Sequence, residues 1–323
     1  MTAQRKIRLA LIGCGEHAES GHALPLARYK AAHPDAIEMA AACDLQLDRA
    51  QKFCASYGFQ SSYRDIGEML SGEEIDACIT VVPAERISEI GVNLLGSRMP
   101  CLVEKPLAST LAELRALGSA AFSSGTPNMV SVNRRFMPFL NRAFEWTRNV
   151  GPIRYLRCTL ARHARCEPEF IWATAVHALD TLRYIAGDVA GFDCQPVRSR
   201  AHSALWYTIH LHFQGGVEGR IDVLPTTGML EETYDLFGDG FRVSVTCPFG
   251  RKRGWLAYRD GAVVQEEIAH ADMPEDVLNG CYDETAAFIE ALRDGTQLKP
   301  AIADVAPSVE ICFSIAKLIQ TPK

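Results

Sequence analysis

The chain lacks any paired cysteines. Its eleven cysteines stand singly from Cys14 to Cys312, none in a C-x-x-C pair, so a zinc ribbon or a thioredoxin-type motif has nothing to be built from. An odd number without a framework reads as reduced thiols, packed as small apolar side chains in a reducing compartment. There is no run of Lys or Arg. The 33 basic and 39 acidic residues leave a net charge of −6, which offers nothing to nucleic acid or to an anionic membrane surface. No apolar run approaches membrane-spanning length, and no secretory leader precedes the strand pattern that starts at Ile7. A cytoplasmic protein with neither nucleic-acid nor membrane partners is therefore expected. Internal repeats and low-complexity segments are missing as well. What remains is ordinary globular sequence, 48% hydrophobic and 22% charged, and 323 residues are comfortable for two domains.

The first ~125 residues alternate strand and helix patterns, the mark of a doubly wound parallel sheet of Rossmann type. Strand patterns occupy Ile7–Ile12, Ile37–Cys43, Ala77–Val82, Cys101–Val103 and Met129–Val132. A helix pattern at 47–57 ends on Gly58, and another puts Ile87, Ile90, Leu94 and Leu95 on one face. Thr110-Leu111-Ala112-Glu113 has the spacing of a capping box. Beyond Gly151 strands dominate, many alternating apolar and polar residues, as an antiparallel sheet with one exposed face requires. Helices near 175–185 and 283–292 interrupt or follow them. The division drawn from this change is 1–130 for a dinucleotide-binding domain. Residues 131–323 form an α+β domain with a large, mostly antiparallel sheet.

Three motifs carry chemistry. Gly13-Cys14-Gly15-Glu16-His17-Ala18 is a G-x-G-x-x-A between the first strand and a helix. Small residues there let the backbone turn tightly and approach a pyrophosphate at the helix N-terminus. Without a ligand the same residues are merely a tight strand-to-helix turn. Asp44, at the end of the second strand, adds a carboxylate that can accept from both ribose hydroxyls and repels a 2′-phosphate. No Arg follows it immediately, so NAD is expected ahead of NADP. The second motif, Val103-Glu104-Lys105-Pro106, ends another strand of the same half, where ligands of open α/β sheets lie. Lys105 there can exchange a hydroxyl proton while hydride leaves carbon, although a lone Lys at a loop start is ordinarily just solvated. The third is a helix carrying His177 and Asp180, three apart on one face. A lone helix histidine is more often a packed residue than a catalytic one.

Taken in order, these residues resemble the Gfo/Idh/MocA oxidoreductases, the relatives of glucose–fructose oxidoreductase and inositol dehydrogenase. The resemblance rests on the Gly13/Gly15/Ala18 turn, Asp44, Glu104-Lys105-Pro106, Asn133-Arg134-Arg135-Phe136 and His177-x-x-Asp180. It implies hydride transfer to or from a sugar, inositol or related polyol with NAD(P), and a homo-oligomer, dimer or tetramer, through the second sheet. It implies that Lys105 exchanges the proton and that His177 is a second acid/base. Glu104 would lie beside the nicotinamide ribose, and Asp180 with Arg134 or Arg135 would line the substrate pocket. Glu16, His17 and Ala18 join the glycines as cofactor contacts. The chain departs from the family at Ala173, where Asp-x-Gly-x-His is usual before the helix. It departs also at Val82-Pro83 in place of Thr-Pro and at Ile87 in place of a His. The missing carboxylate removes a partner for the imidazole. Glu169, His163 or Arg165 are the upstream residues able to replace it.

Two other functions fit the same residues. One is a dinucleotide-binding sensor or scaffold with little redox activity, favoured by Ala173. The other is a reductase of an imine or conjugated double bond, as in the biliverdin-reductase branch, which needs one acid only. His210 and His212, two apart on a strand, face one side, but no third ligand is in view and no metal is assigned. Trp172, Trp206 and Tyr207 read as sheet packing, and Tyr282 and Asp283 as a helix start.

Overall fold

The computed structural model describes residues 5–198 and 205–320; residues 1–4, on which part of the leaderless reading rests, lie outside them. Two compact units result. The first comprises the described residues up to Val132 together with Cys281–Pro307. The second comprises Asn133–Gly280 and the described residues from Ser308.

In the first unit six strands pair in parallel: β1 (Ile7–Ile12), β2 (Ile37–Cys43), β3 (Ser61–Tyr63), β4 (Ala77–Thr80), β5 (Cys101–Glu104) and β6 (Asn128–Ser131). Their order is β3-β2-β1-β4-β5-β6. That is the doubly wound Rossmann order, with its switch point at β1, where a ligand is held outside the strand C-termini. The strands read as apolar runs because helices cover both faces: Leu9, Ala10 and Leu11 of β1 are fully buried. The helix Ala84–Gly96 buries Ile87, Leu94 and Leu95, while Ile90 is half-buried. Gly91 lets this helix approach its neighbour, since a Cβ there would stand 2.8 Å from Leu117 Cδ1. The capping box of the helix Leu111–Ser124 is formed in both directions, Glu113 N–H to Thr110 Oγ1 and Thr110 N–H to the Glu113 carboxylate.

The segment 281–307 belongs to this unit for a definite reason. Val130 N–H donates to Pro300 O at 2.8 Å and Ile302 N–H to Asn128 Oδ1 at 2.9 Å, so the returning chain caps the edge strand β6. A cut at residue 130 cannot show this return, because the pairing partners are ~170 residues apart.

The second unit holds eight strands: β7 (Ile153–Ala161), β8 (Val189–Arg198), β9 (Leu205–Phe213), β10 (Glu218–Leu224), β11 (Glu231–Gly238), β12 (Phe241–Thr246), β13 (Gly254–Arg259) and β14 (Ala262–Ile268). They lie in the order β14-β13-β12-β11-β7-β10-β9-β8, antiparallel except for the parallel pair β7/β10. Alternation sorts the faces. Leu156, Cys158 and Leu160 of β7 are buried, whereas Arg157 between them pairs with Asp235, which also holds Arg242. His212 stands on the exposed side with Glu218 at 2.7 Å and Asp193 at 3.4 Å. Trp206 donates to Thr226 Oγ1 at 2.9 Å, and Trp172 packs against Phe313. The cysteines are free thiols, eight of them buried. Among the described residues no helix is long and apolar enough to cross a membrane.

Candidate active site

The switch point of the first sheet opens into a cavity of about 660 Å³. Its walls bring together Gly13, Gly15, Glu16, His17, Ala18, Asp44, Glu104 and Lys105. At Gly13 the chain turns with φ +94°, and a Cβ would fall 2.0 Å from Val81 O, so β1 can pass this close to β4 only with glycine. Gly15 is different: a Cβ there would meet nothing within 4 Å, leaving room on the cavity side for a diphosphate to approach the backbone. A continuous helical run begins at Glu16 and reaches Ala32. Its N-terminal amides supply the partial positive charge that a diphosphate needs. The residues present therefore fit a dinucleotide.

Asp44 is held by the turn itself. Its Oδ2 accepts from Cys14 N–H at 3.0 Å and its Oδ1 from Gln46 N–H at 2.9 Å. A carboxylate fixed in this way stands at the end of β2, where an adenosine ribose is recognised. Arg49 lies 3.6 Å from Asp44 Oδ2, and Arg49 and Arg64 both line the cavity. Neither is adjacent to Asp44 in sequence, and on exposed surface positions both read as solvated charges.

Glu104, the last residue of β5, is the hub of the other wall. Its Oε1 lies 2.9 Å from His17 Nε2, 3.0 Å from His22 Nε2 and 2.9 Å from Ser131 Oγ, and its Oε2 accepts from Lys105 N–H at 2.9 Å. Burial opposes its charge, but the charge and hydrogen bond of His17, and then those of His22, hold the carboxyl well below its ordinary value. The half-buried Lys105 follows, in the cavity wall and joined to Pro106 by a cis bond. Ser131 Oγ also contacts Glu284 Oε2 at 2.7 Å. His22, Ser131 and Glu284 were not legible as site residues. His22 sits five positions after His17, outside α-helical periodicity, and Glu284 comes from the returning segment.

In the second unit His177 lies in the first turn of the helix Val176–Ala186 and is buried, its carbonyl accepting from Thr181 Oγ1 at 2.7 Å. Asp180 is grasped by Arg135 through Nε at 2.7 Å and Nη2 at 2.8 Å, and accepts from Ser308 Oγ at 2.8 Å. Arg135 also lies over the Tyr184 ring. Arg134 faces a different partner, the fully buried Glu232, which Arg162 and Tyr234 share. Of the upstream candidates, Arg165 contacts Glu167 and the Thr174 hydroxyl, and Glu169 precedes the short helix Phe170–Ala173, which carries no carboxylate.

Residues 7–133 match the profile described as the Gfo/Idh/MocA oxidoreductase family, NAD-binding Rossmann fold. The chain is 23% identical over 316 residues to a 4-carboxy-2-hydroxymuconate-6-semialdehyde dehydrogenase of a Sphingobium species, covering 93% of this chain and 94% of that one. It is 28% identical over 256 residues to a D-apiose dehydrogenase of Paraburkholderia graminis, covering 72% and 64%. Among solved structures, an oxidoreductase from Agrobacterium radiobacter in complex with NAD+, L-tartaric acid and magnesium superposes with a TM-score of 0.80. It is 19% identical, and 98% of each chain is covered. The dinucleotide-binding half thus matches the profile of the NAD-binding Gfo/Idh/MocA oxidoreductases, and the fold of such proteins extends over the chain.

Proposed function

We propose that the chain is an NAD(P)-dependent dehydrogenase acting on a C–OH group of a sugar, inositol or related polyol derivative. The observation that carries this reading is the presence of Lys105 in the wall of the cavity that the glycine turn, Asp44 and Glu104 line. A nicotinamide dinucleotide bound there supplies the hydride acceptor or donor. Glu104 fixes the peptide N–H of Lys105 and so aims the residue that follows it. Lys105 Nζ takes the hydroxyl proton during oxidation and returns it during reduction. His177 is the second acid/base by resemblance, and Asp180 with Arg134 or Arg135 belongs to the substrate pocket on the same ground. The buried ion pairs of both arginines give those roles a rigid setting. Reduced thiols and the resemblance favour a cytoplasmic homo-oligomer.

The test is NADH or NAD+ turnover across a panel of aldoses, inositols and keto-sugars, with a carboxylated semialdehyde included because one relative is named for such a substrate. Turnover with a polyol or sugar that disappears in Lys105→Ala supports the assignment. Dinucleotide binding without turnover on any member favours the sensor or scaffold function, and turnover of an imine alone favours the reductase.

A further inference from the structure

The helical run after the glycine turn is not uniform. Between Glu19 and Ala23 it widens into a π-helix, with α-helix on either side. In an α-helix, residues five apart point about 140° away from each other. In the π register they align, since its hydrogen bonds close at i+5. The widened turn brings the rings of His17 and His22 onto one side, and both Nε2 atoms converge on Glu104 Oε1. Gly21 faces the same ring: a Cβ there would stand in contact with it, 3.4 Å from His17 Cε1.

As a purely hydrogen-bonded cluster these contacts are crowded. One carboxylate oxygen with two lone-pair directions faces three partners, His17, His22 and Ser131. Ser131 has one hydroxyl proton and lies 2.9 Å from Glu104 Oε1 and 2.7 Å from Glu284 Oε2. It can donate to only one of them at a time, and the two buried carboxyl groups share this one hydroxyl. A cation held here would offset the charge of the two buried carboxylates. Two imidazole nitrogens and one carboxylate oxygen, all within 4.8 Å of one another, are the donor set that zinc-type cations select.

We propose that His17, His22 and Glu104 form a binding site for a late first-row divalent cation of the zinc class, set in the wall of the dinucleotide cavity. The His–carboxylate separations of 2.9 and 3.0 Å need to open only to about 3.3 Å for a tetrahedral ion with ~2.0–2.1 Å bonds. Ser131 Oγ and Lys105 N–H already hold the carboxylate and are its outer partners. The ring of His17 is the entry side, because its side chain is 57% exposed whereas that of His22 is 1% exposed. The fourth position falls to water from the cavity. The positive end of the helix opposes the ion, and the two carboxylates offset it.

The experiment uses the full chain, freed of dinucleotide and metal, titrated with Zn2+ and separately with Co2+. One equivalent per chain and the visible absorption of four-coordinate Co2+ are expected. His17→Ala weakens binding roughly tenfold or more. His17→Cys retains the ion and adds a sulfur-to-cobalt charge-transfer band, which a merely structural histidine would not produce. His17 is exposed, so both variants fold. Failure to retain Zn2+ at micromolar concentration overturns the proposal. So does binding that His17→Ala leaves unchanged and His212→Ala abolishes, which would place the ion on the outer sheet face beside Glu218 and Asp193.

Discussion

Arg135 grips Asp180 at two points, 2.7 and 2.8 Å, and the Asp180 side chain is 1% exposed. A bidentate buried pair is costly to break from one side, because the guanidinium loses a two-point contact along with its charge partner. Asp180→Ala is expected to lower unfolding free energy by about 3–5 kcal/mol in denaturant titration. Arg135→Lys is expected to recover little, since an ammonium cannot make the two-point contact. If Asp180→Ala leaves the denaturation midpoint unchanged, the pair contributes nothing to the fold and Asp180 is free for substrate alone.

Lys105 follows a residue whose carboxylate is tied into the protein by four contacts, so its own backbone position is set without substrate. Replacing it with Ala removes the proton exchanger and leaves the glycine turn and Asp44 in place. Turnover is expected to fall by about 10²–10⁴-fold, with NADH affinity, followed by fluorescence titration, nearly intact. Turnover equal to the unsubstituted chain would remove Lys105 from the mechanism.

Asp44 and Arg49 divide the cofactor question between them. The carboxylate repels a 2′-phosphate, but a guanidinium stands 3.6 Å away in the same wall. The wild-type chain is expected to bind NADH more tightly than NADPH. Asp44→Ala is expected to move the ratio of the two dissociation constants toward NADPH by about tenfold, or ~1.4 kcal/mol. The double variant Asp44→Ala/Arg49→Ala is expected to lose that gain. A wild type that prefers NADPH would show that Arg49 and Arg64 outweigh the carboxylate.

The legible part of this molecule is the part made by near neighbours in sequence. The glycine turn, the carboxylate at the end of β2, the Glu-Lys-Pro strand end and the Thr110 cap each complete their pattern within a few residues. Apolar strands between helix patterns then dictate a parallel sheet. Convergence from afar was hidden. His22 joins His17 only because the helix widens between them, and no α or β period marks that widening. Glu284 reaches Ser131 because the segment 281–307 returns to β6. Arg49 and Arg64 have no apolar pattern to betray which way they face.

Glu232 sets a prediction about acid. It is fully buried, which alone would raise its pKa. The guanidinium groups of Arg134 and Arg162, with the Tyr234 hydroxyl, reverse this and bring it down to about 2 from 4.5. Both guanidinium groups also lie over the Phe249 ring, 5.6 and 5.0 Å from its centroid. A carboxyl with a lower pKa in the folded state than in the unfolded one binds its proton later in the fold. Its stabilisation is therefore complete above pH 4.5 and is lost as pH falls toward 2. The loss amounts to about 1.4 kcal/mol per pH unit within that window, and about 3 kcal/mol in all. Urea unfolding measured from pH 6 down to the acid limit of two-state behaviour reads this slope. Glu232→Gln is expected to be less stable at pH 6, since two buried cations then share a neutral partner, and to show an acid slope shallower by that contribution. An identical slope in the variant would mean that the Glu232 carboxyl titrates the same in both states, and that the Arg134–Glu232–Arg162 cluster does not hold its charge.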